Sequence, residues 1–315
     1  MSLYIFRSKP STGATDLAEA LDGVRFRGRT VPIERKVKRG DVVVCWGESF
    51  PNPPEGVRVL NGITVRSKLD DALKLREAGV STIEVSRTKP APQTPPPPPP
   101  DPLIDLFKEA QTLAGDFYEI NPAIVNLRTN VAADAVTQLT TKLQHVINAI
   151  RVPAPVAPPV PLIEWLARAT DHVGGGDLLH PEDWRIGYFV KKEEFVKEFR
   201  IHSFLGKSIR AGIKDLRDGF SIDGTTGISK AHPWIRSWEG GWRIKYDGIS
   251  SKKKHRDLAH EAVKALGLDF GAVDIGERAD GTLCVLEVNR APGLKEGTID
   301  VYATAIQNWV ANRGE

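Results

Sequence analysis

Three oxygen-bearing side chains near the C-terminal end are spaced to work together. Residues 283–294 read LCVLEVNRAPGL, with Glu287 and Asn289 two apart in an otherwise apolar run. Upstream, FGAVDIG (270–276) carries a single acid, Asp274. Between the runs, Asp280-Gly281 is a strong two-residue turn signal. With Ala279 opposite Thr282, Asp274 faces Glu287 and Ala272 faces Asn289. Side chains alternate along a strand, so Asp274, Glu287 and Asn289 share one face, and Val273, Ile275, Leu286 and Val288 form a core face on the other. Carboxylates placed directly opposite repel each other. A divalent cation reverses that sign. Mg²⁺ takes one or two carboxylates together with substrate phosphates and waters, and an amide oxygen is a fitting third ligand. The same pattern also admits a solvated sheet face with incidental polar residues.

The elements that must hold this hairpin are legible at low resolution. LYIF (3–6) and VVVCW (42–46) read as buried strands, and ATDLAEAL (14–21) as a helix. SKLDDALKLREAG (67–79) reads as a helix with Ser67 as N-cap and Gly79 at its C-terminal end. The stretch 188–216 reads as a meander of strands. LAHEAVKALGLD (258–269) and VYATAIQNWV (301–310) read as helices. The run Lys252-Lys253-Lys254-His255-Arg256 reads as a solvated helix entry.

Composition narrows the classes. The chain has 315 residues, more than one core usually organises, so two or three domains are expected. At 41% hydrophobic it can build real cores, and a net charge of +3 demands neither nucleic acid nor an anionic membrane. The seven tryptophans show no stacking pattern of the single-strand-binding kind. Cys45 and Cys284 sit far apart in apolar runs, as buried small hydrophobes of a reducing compartment. No apolar run approaches the ~20 residues of a membrane span, and the N-terminus lacks a signal-peptide core. A soluble cytoplasmic protein is expected.

Proline divides the chain. Fifteen of the 23 prolines fall between Pro90 and Pro161, six of them consecutive, and such runs form stiff polyproline II spacers. Between them, Leu103, Leu106, Ala110, Leu113 and Phe117 step by 3 and 4. Ala132, Val136, Leu139, Leu143, Val146 and Ile150 continue the beat as an a/d heptad seam. This predicts a coiled-coil-like helical insert, with residues 101–150 serving a homo-oligomer or docking a partner. A helical pair packed on its own body is the alternative.

The hairpin sequence, an Asp on one strand and then Glu-x-Asn and Pro-Gly on the next, resembles the C-terminal core of ATP-grasp enzymes. Asp274, Glu287, Asn289, Pro292 and Gly293 carry the likeness. It is nearest to the RimK-like branch of ribosomal-protein glutamate ligases and to stand-alone ATP-grasp proteins of phage genomes. The resemblance covers about 1–89 and 162–315. It implies an α/β ATP-grasp fold: a pre-ATP-grasp domain over 1–60, a nucleotide-binding subdomain over 61–89 and 162–190, the insert over 90–161, and a C-terminal subdomain over 191–315.

It also implies roles. Asp274, Glu287 and Asn289 hold Mg²⁺, as two ions that Mn²⁺ can replace. Lys68 reaches the ATP phosphates. Gly174, Gly175 and Gly176 form a phosphate loop beside His172, and Arg168 stands where the family usually has lysine. Phe189, Val190 and Lys191 match the adenine hinge, and either Glu193 or Glu194 takes the ribose. Arg200 faces the transferred phosphoryl group, Lys214 the γ-phosphate, Arg236 the substrate and Arg290 the acceptor. His202 alternates with Arg200 but reads more readily as a structural histidine. The implied activity is ATP-dependent carboxylate–amine ligation through an acyl phosphate, acting on a small-molecule, peptide or protein acid and an amine. An ATP-grasp kinase and an ATP-binding scaffold working through the insert are the alternatives.

Overall fold

The computed structural model describes residues 1–7, 12–27, 33, 36–63, 66–90, 137, 141, 165–169, 178–179, 186–224, 228–233, 235–247, 249, 251–295 and 297–312. The chain divides into two compact units, Met1–Pro90 with Glu164–Glu315, and Ala91–Ile163. The heptad seam, the proline runs that flank it, His172, Gly174, Gly175 and Gly176 lie outside the described residues. Every element below belongs to the first unit.

The N-terminal strands β1 (Leu3–Arg7), β2 (Val24–Arg27), β3 (Val42–Cys45) and β4 (Arg58–Leu60) form a parallel sheet in the order β2-β1-β3-β4, with α1 (Thr12–Ala20) as the first crossover. All four residues of β3 are buried, because a parallel sheet is covered on both faces. Helix α2 (Lys68–Glu77) follows. Its N-cap Ser67 accepts from the Asp70 amide, and Gly79, at φ 75°, ends it while the Val80 amide donates back to the Leu75 carbonyl.

Two antiparallel sheets make up the rest. Strands β5 (Val85–Ser86), β6 (Trp165–Ala169), β7 (Leu178–Leu179) and β8 (Ile186–Lys191) pair in the order β5-β8-β6-β7. Strands β9 (Lys197–Phe204) and β10 (Lys207–Leu216) form a hairpin. A short pair, β11 (Phe220–Ser221) and β12 (Ser229–Lys230), precedes β13 (Trp242–Lys245). After α3 (Lys253–Ala265) come β14 (Phe270–Glu277), β15 (Leu283–Asn289) and α4 (Thr298–Ala311). The large sheet runs β13-β10-β9-β14-β15. The expected meander over 188–216 is therefore split, with β8 in one sheet and β9–β10 in the other.

One face of the large sheet is a core. Leu258, Ala259, Ala262, Val263 and Leu266 of α3 pack on Phe199, Ile201, Val273, Ile275, Val285 and Val288. Fully burying a large aliphatic side chain of this kind stabilises by about 1.5–3 kcal/mol. Helix α3 begins five residues before the expected start, and His255 is buried against the Phe199 ring at 4.3 Å between centroids. The basic run is thus the N-cap and first turn of the helix, and its histidine is not solvated. Among the described residues, no helix is long and apolar enough to cross a membrane. Both cysteines are buried and free.

The β14–β15 hairpin departs from its expected geometry twice, and the departures cancel. The Arg278 amide donates to the Thr282 carbonyl, and Gly281 (φ 80°) closes a three-residue loop over 279–281. Pairing near the turn is therefore one residue out, with Glu277 opposite Leu283. A bulge between Asp274 and Ile275 then inserts one residue on β15 and restores the offset, so Asp274 faces Glu287 and Ala272 faces Asn289. The bulge also changes sides: Val285 enters the core, and Leu286, expected there, lines the cavity described below.

Candidate active site

The other face of the large sheet and one face of the β5-β8-β6-β7 sheet line a cavity of about 1150 Å³. A site for one drug-sized ligand spans ~300–1000 Å³, so this one lies just above the top of that range.

Its floor is a row of charges across neighbouring strands. Arg200 of β9 stands opposite Asp274 of β14, which stands opposite Glu287 of β15. The Arg200 guanidinium donates to both Asp274 oxygens, Nε to Oδ1 at 2.6 Å and Nη2 to Oδ2 at 2.7 Å. Lys214 of β10 lies 3.8 Å from Asp274 and 3.0 Å from Glu198. Arg236 reaches Glu198 at 3.3 Å and donates to the Phe195 carbonyl at 2.7 Å. Lys68, the first residue of α2, meets Glu287 at 2.7 Å. Four cations thus surround three carboxylates, a net positive field suited to an anion.

The protonation states follow from this arrangement. Burial would raise the Asp274 carboxyl, but Arg200 and Lys214 outweigh it and hold it at about 2. Burial would lower the Lys214 ammonium, but Asp274 and Glu198 hold it above the ordinary lysine value. Burial pushes the Tyr188 hydroxyl, beside Arg168, up to about 12.

The upper wall comes from the smaller sheet. Arg168 pairs with Tyr188 and Leu166 with Val190 across β6 and β8, and all four side chains line the cavity. The Arg168 Nε is buried without a hydrogen-bond partner. Phe189, in contrast, pairs with Ala167 on the opposite face, and both are buried. The backbone of 189–191 is laddered between β5 and β6, and the Lys191 amide donates to the Glu84 carbonyl. The expected hinge residues, Phe189, Val190 and Lys191, are thus the last three of β8. The strand ends at Lys191, and the loop Lys192, Glu193, Glu194 and Phe195 that follows lines the cavity with no ladder. Of the two glutamates, Glu193 is held by Arg278 at 2.8 Å, whereas Glu194 is exposed.

Across full length, the chain superposes on the ATP-grasp ligase PsnB complexed with a phosphomimetic variant of minimal precursor, Mg and ADP. That match has 13% identity, 100% of this chain, 99% of that chain and a TM-score of 0.54. PsnB complexed with minimal precursor, Mg and ADP matches at 12% identity, 98% of each chain and a TM-score of 0.52. D-alanine–D-alanine ligase from Bacillus anthracis matches at 11% identity, 100% of each chain and a TM-score of 0.53. The chain has the ATP-grasp fold. No family model and no curated protein matches its sequence.

The cavity between the two sheets gathers most of the expected site residues. The residues Lys68, Arg168, Lys191, Glu194, Arg200, Lys214, Arg236, Asp274, Glu287 and Asn289 all line it. Arg290 does not: its guanidinium is buried against Asp71 and donates to the Arg66 carbonyl at 3.2 Å, beneath the start of α2. An acceptor-facing role is not what this placement supports. His202 is fully buried, with one ring nitrogen 3.2 Å from the Tyr302 hydroxyl and the other 3.0 Å from that of Tyr246. Sequence reading missed Glu198, the carboxylate that aims Lys214 and Arg236. Its place two residues before Arg200 on the same strand face was the available signal.

The donor set fits a divalent cation held jointly with phosphate. Asp274 and Glu287 face each other, and a carboxylate clasped by one arginine keeps lone pairs for another partner. The Asn289 amide nitrogen is buried without a partner and suits a phosphate oxygen, whereas its Oδ1 is the atom that a cation would take. Among the described residues, no three His, Cys, Asp or Glu side chains gather as a metal site. A cation here would need the Asn289 amide and ligand phosphates to complete its shell.

Proposed function

We propose that the chain is an ATP-dependent carboxylate–amine ligase of the RimK-like kind. The observation that carries this reading is the Arg200–Asp274–Glu287 row on the floor of the cavity, on an ATP-grasp fold. The phosphates of ATP lie over that row. Lys68 exchanges Glu287 for a phosphate oxygen, and Arg168 takes another through its fork. The loop 192–195 meets the base and Glu194 the ribose. Asp274, Glu287 and Asn289 would hold Mg²⁺, which when bound screens the phosphate charge and polarises the transferring group.

The reaction is two displacements. A substrate carboxylate oxygen attacks the γ-phosphorus, the bond to the β-phosphate bridge breaks, and ADP leaves. An amine nitrogen then attacks the acyl carbon of the resulting acyl phosphate, inorganic phosphate departs with the electrons of its C–O bond, and the amine gives up a proton. Arg200, Lys214 and Arg236 balance charge on the transferring phosphoryl and the departing phosphate. The cavity lining also includes Ile222, Pro233, Ile235 and the exposed Trp238, which suits a peptide or a small molecule carrying an apolar group. PsnB has been captured with the precursor peptide PsnA2, and we extend that substrate class to this chain.

The test is ADP release in the presence of Mg-ATP across a panel of amino acids, peptides and polyamines, with mass spectrometry of the products. An amide formed with ADP is expected. A stable phosphoester would move the reading to a kinase, and ADP release independent of every added acid would contradict it.

A further inference from the structure

Helix α2 and strand β15 are tied by two bridges one helical turn apart. The outer bridge is Lys68–Glu287, on the cavity side, with about 30% of each side chain exposed. The inner bridge is Asp71–Arg290, three residues further along the chain in each case, with Arg290 just past the end of β15, and it is almost fully buried. Residues at i and i+3 share a helix face, so Lys68 and Asp71 both look toward β15. Arg66 completes the inner knot: it lies 3.6 Å from Asp71 and donates to the Leu266 carbonyl at 2.6 Å, at the end of α3. The Arg66 carbonyl in turn accepts from Arg290.

The two bridges have different fates when a phosphate binds. The outer one must open, because a phosphate oxygen competes with Glu287 for the Lys68 ammonium. The inner one is nearly buried, and although Asp71 also lines the cavity it bridges to Arg290 and Arg66 rather than to the charged row, so it stays closed. An apolar pair could join helix to strand at lower desolvation cost. It would not fix the helix's rotation and height, which directed bonds from a guanidinium fork do.

We infer that Asp71 and Arg290 are positioning residues for the phosphate-binding lysine. They hold the first turn of α2 so that Lys68 can change partners without the helix shifting. The inference rests on the nucleotide reading of the cavity.

The experiment is calorimetric titration of Mg-ADP and of adenosine into wild type, Asp71→Asn, Lys68→Ala and the double variant. Asp71→Asn should weaken Mg-ADP by about tenfold, leave adenosine unchanged, and lose most of that penalty in the Lys68→Ala background. A merely structural role would lower the melting temperature and leave the Mg-ADP to adenosine affinity ratio at its wild-type value, which would overturn the inference. So would an undiminished penalty without Lys68. If Asp71→Asn does not fold, the Asp71→Leu/Arg290→Leu pair leaves no buried charge unpaired, and the same ratio decides. Wild type binding neither ligand would sink the nucleotide reading itself. Wild type binding both, with the ratio unmoved in the variants, would sink only the positioning role.

Discussion

Asp274 and Arg200 sit directly across from one another on adjacent antiparallel strands and meet through two parallel hydrogen bonds. The geometry is that of a fork gripping a carboxylate, nearly buried on both sides. Truncating Arg200 to Ala strands the Asp274 carboxylate with only Lys214 nearby. Losing one partner of a buried pair costs ~3 kcal/mol or more, to be seen as a lower urea midpoint. Turnover should fall by about a thousandfold, since the same cation stabilises transferring charge. Arg200→Lys keeps the charge but not the fork, and should recover part of the stability and little of the rate.

The loop 192–195, proposed to meet the base, depends on a glycine. A Cβ on Gly276 would come within 2.3 Å of the Phe195 ring. Gly276→Ala must therefore push Phe195 aside and move the loop 192–195. Affinity for adenosine should drop by about tenfold, on the scale of ~1–3 kcal/mol for overpacking. Titration calorimetry with adenosine checks it, and an unchanged affinity would place the base elsewhere.

Asn61 welds the end of the N-terminal sheet to β14. Its Oδ1 accepts from the Asp269 and Phe270 amides, its Nδ2 donates to the Phe270 carbonyl, and its own amide donates to the Asp269 carboxylate. It also holds φ at 56°, which Asn tolerates better than Ala. Asn61→Ala should cost about 2–4 kcal/mol in urea unfolding, with Asn61→Gly recovering only the backbone part.

Two buried groups titrate in opposite senses. Burial holds His202 at about 3, so below the unfolded value of ~6.5 only the unfolded chain takes the proton, and stability falls as pH drops. Burial lifts Asp71 to about 6 despite Arg290 and Arg66, so the folded chain takes its proton first, and stability from this group rises as pH falls from about 6 to ~4. His202→Gln removes the first effect alone. Relative to wild type, the variant should gain up to about 1.4 kcal/mol per pH unit between pH 6.5 and 4. Urea melts at pH 7, 5.5 and 4.5 measure this, and a pH-independent difference would contradict it.

What the sequence reveals here depends on how local the signal is. The Asp274–Glu287 pairing could be counted along one hairpin, yet the count succeeded through two compensating shifts, a longer loop and a bulge. Turn type and bulge position are set by packing, and the displaced Leu286 shows where counting failed. The Arg200–Asp274 fork joins strands 74 residues apart, and no counting rule reaches it. The Ser67 cap and the Gly79 stop were local and legible. Phe189-Val190-Lys191 reads as a strand in the sequence, but only the sheet order shows its backbone laddered between β5 and β6. Arg290 next to the Glu-x-Asn motif suggested an acceptor role, but it turns away to a partner on α2 that lies 219 residues earlier.

The central claim is that this cavity binds Mg-nucleotide through the β14–β15 face. Calorimetric titration of Mg-AMPPNP into wild type and Glu287→Ala tests it most directly. Saturable one-site binding is expected in wild type, weakened at least about thirtyfold in Glu287→Ala and abolished for wild type by excess EDTA, given the ~2 kcal/mol that such charge-assisted contacts supply. Equal affinity in the two proteins, or no saturable binding by wild type, would contradict it.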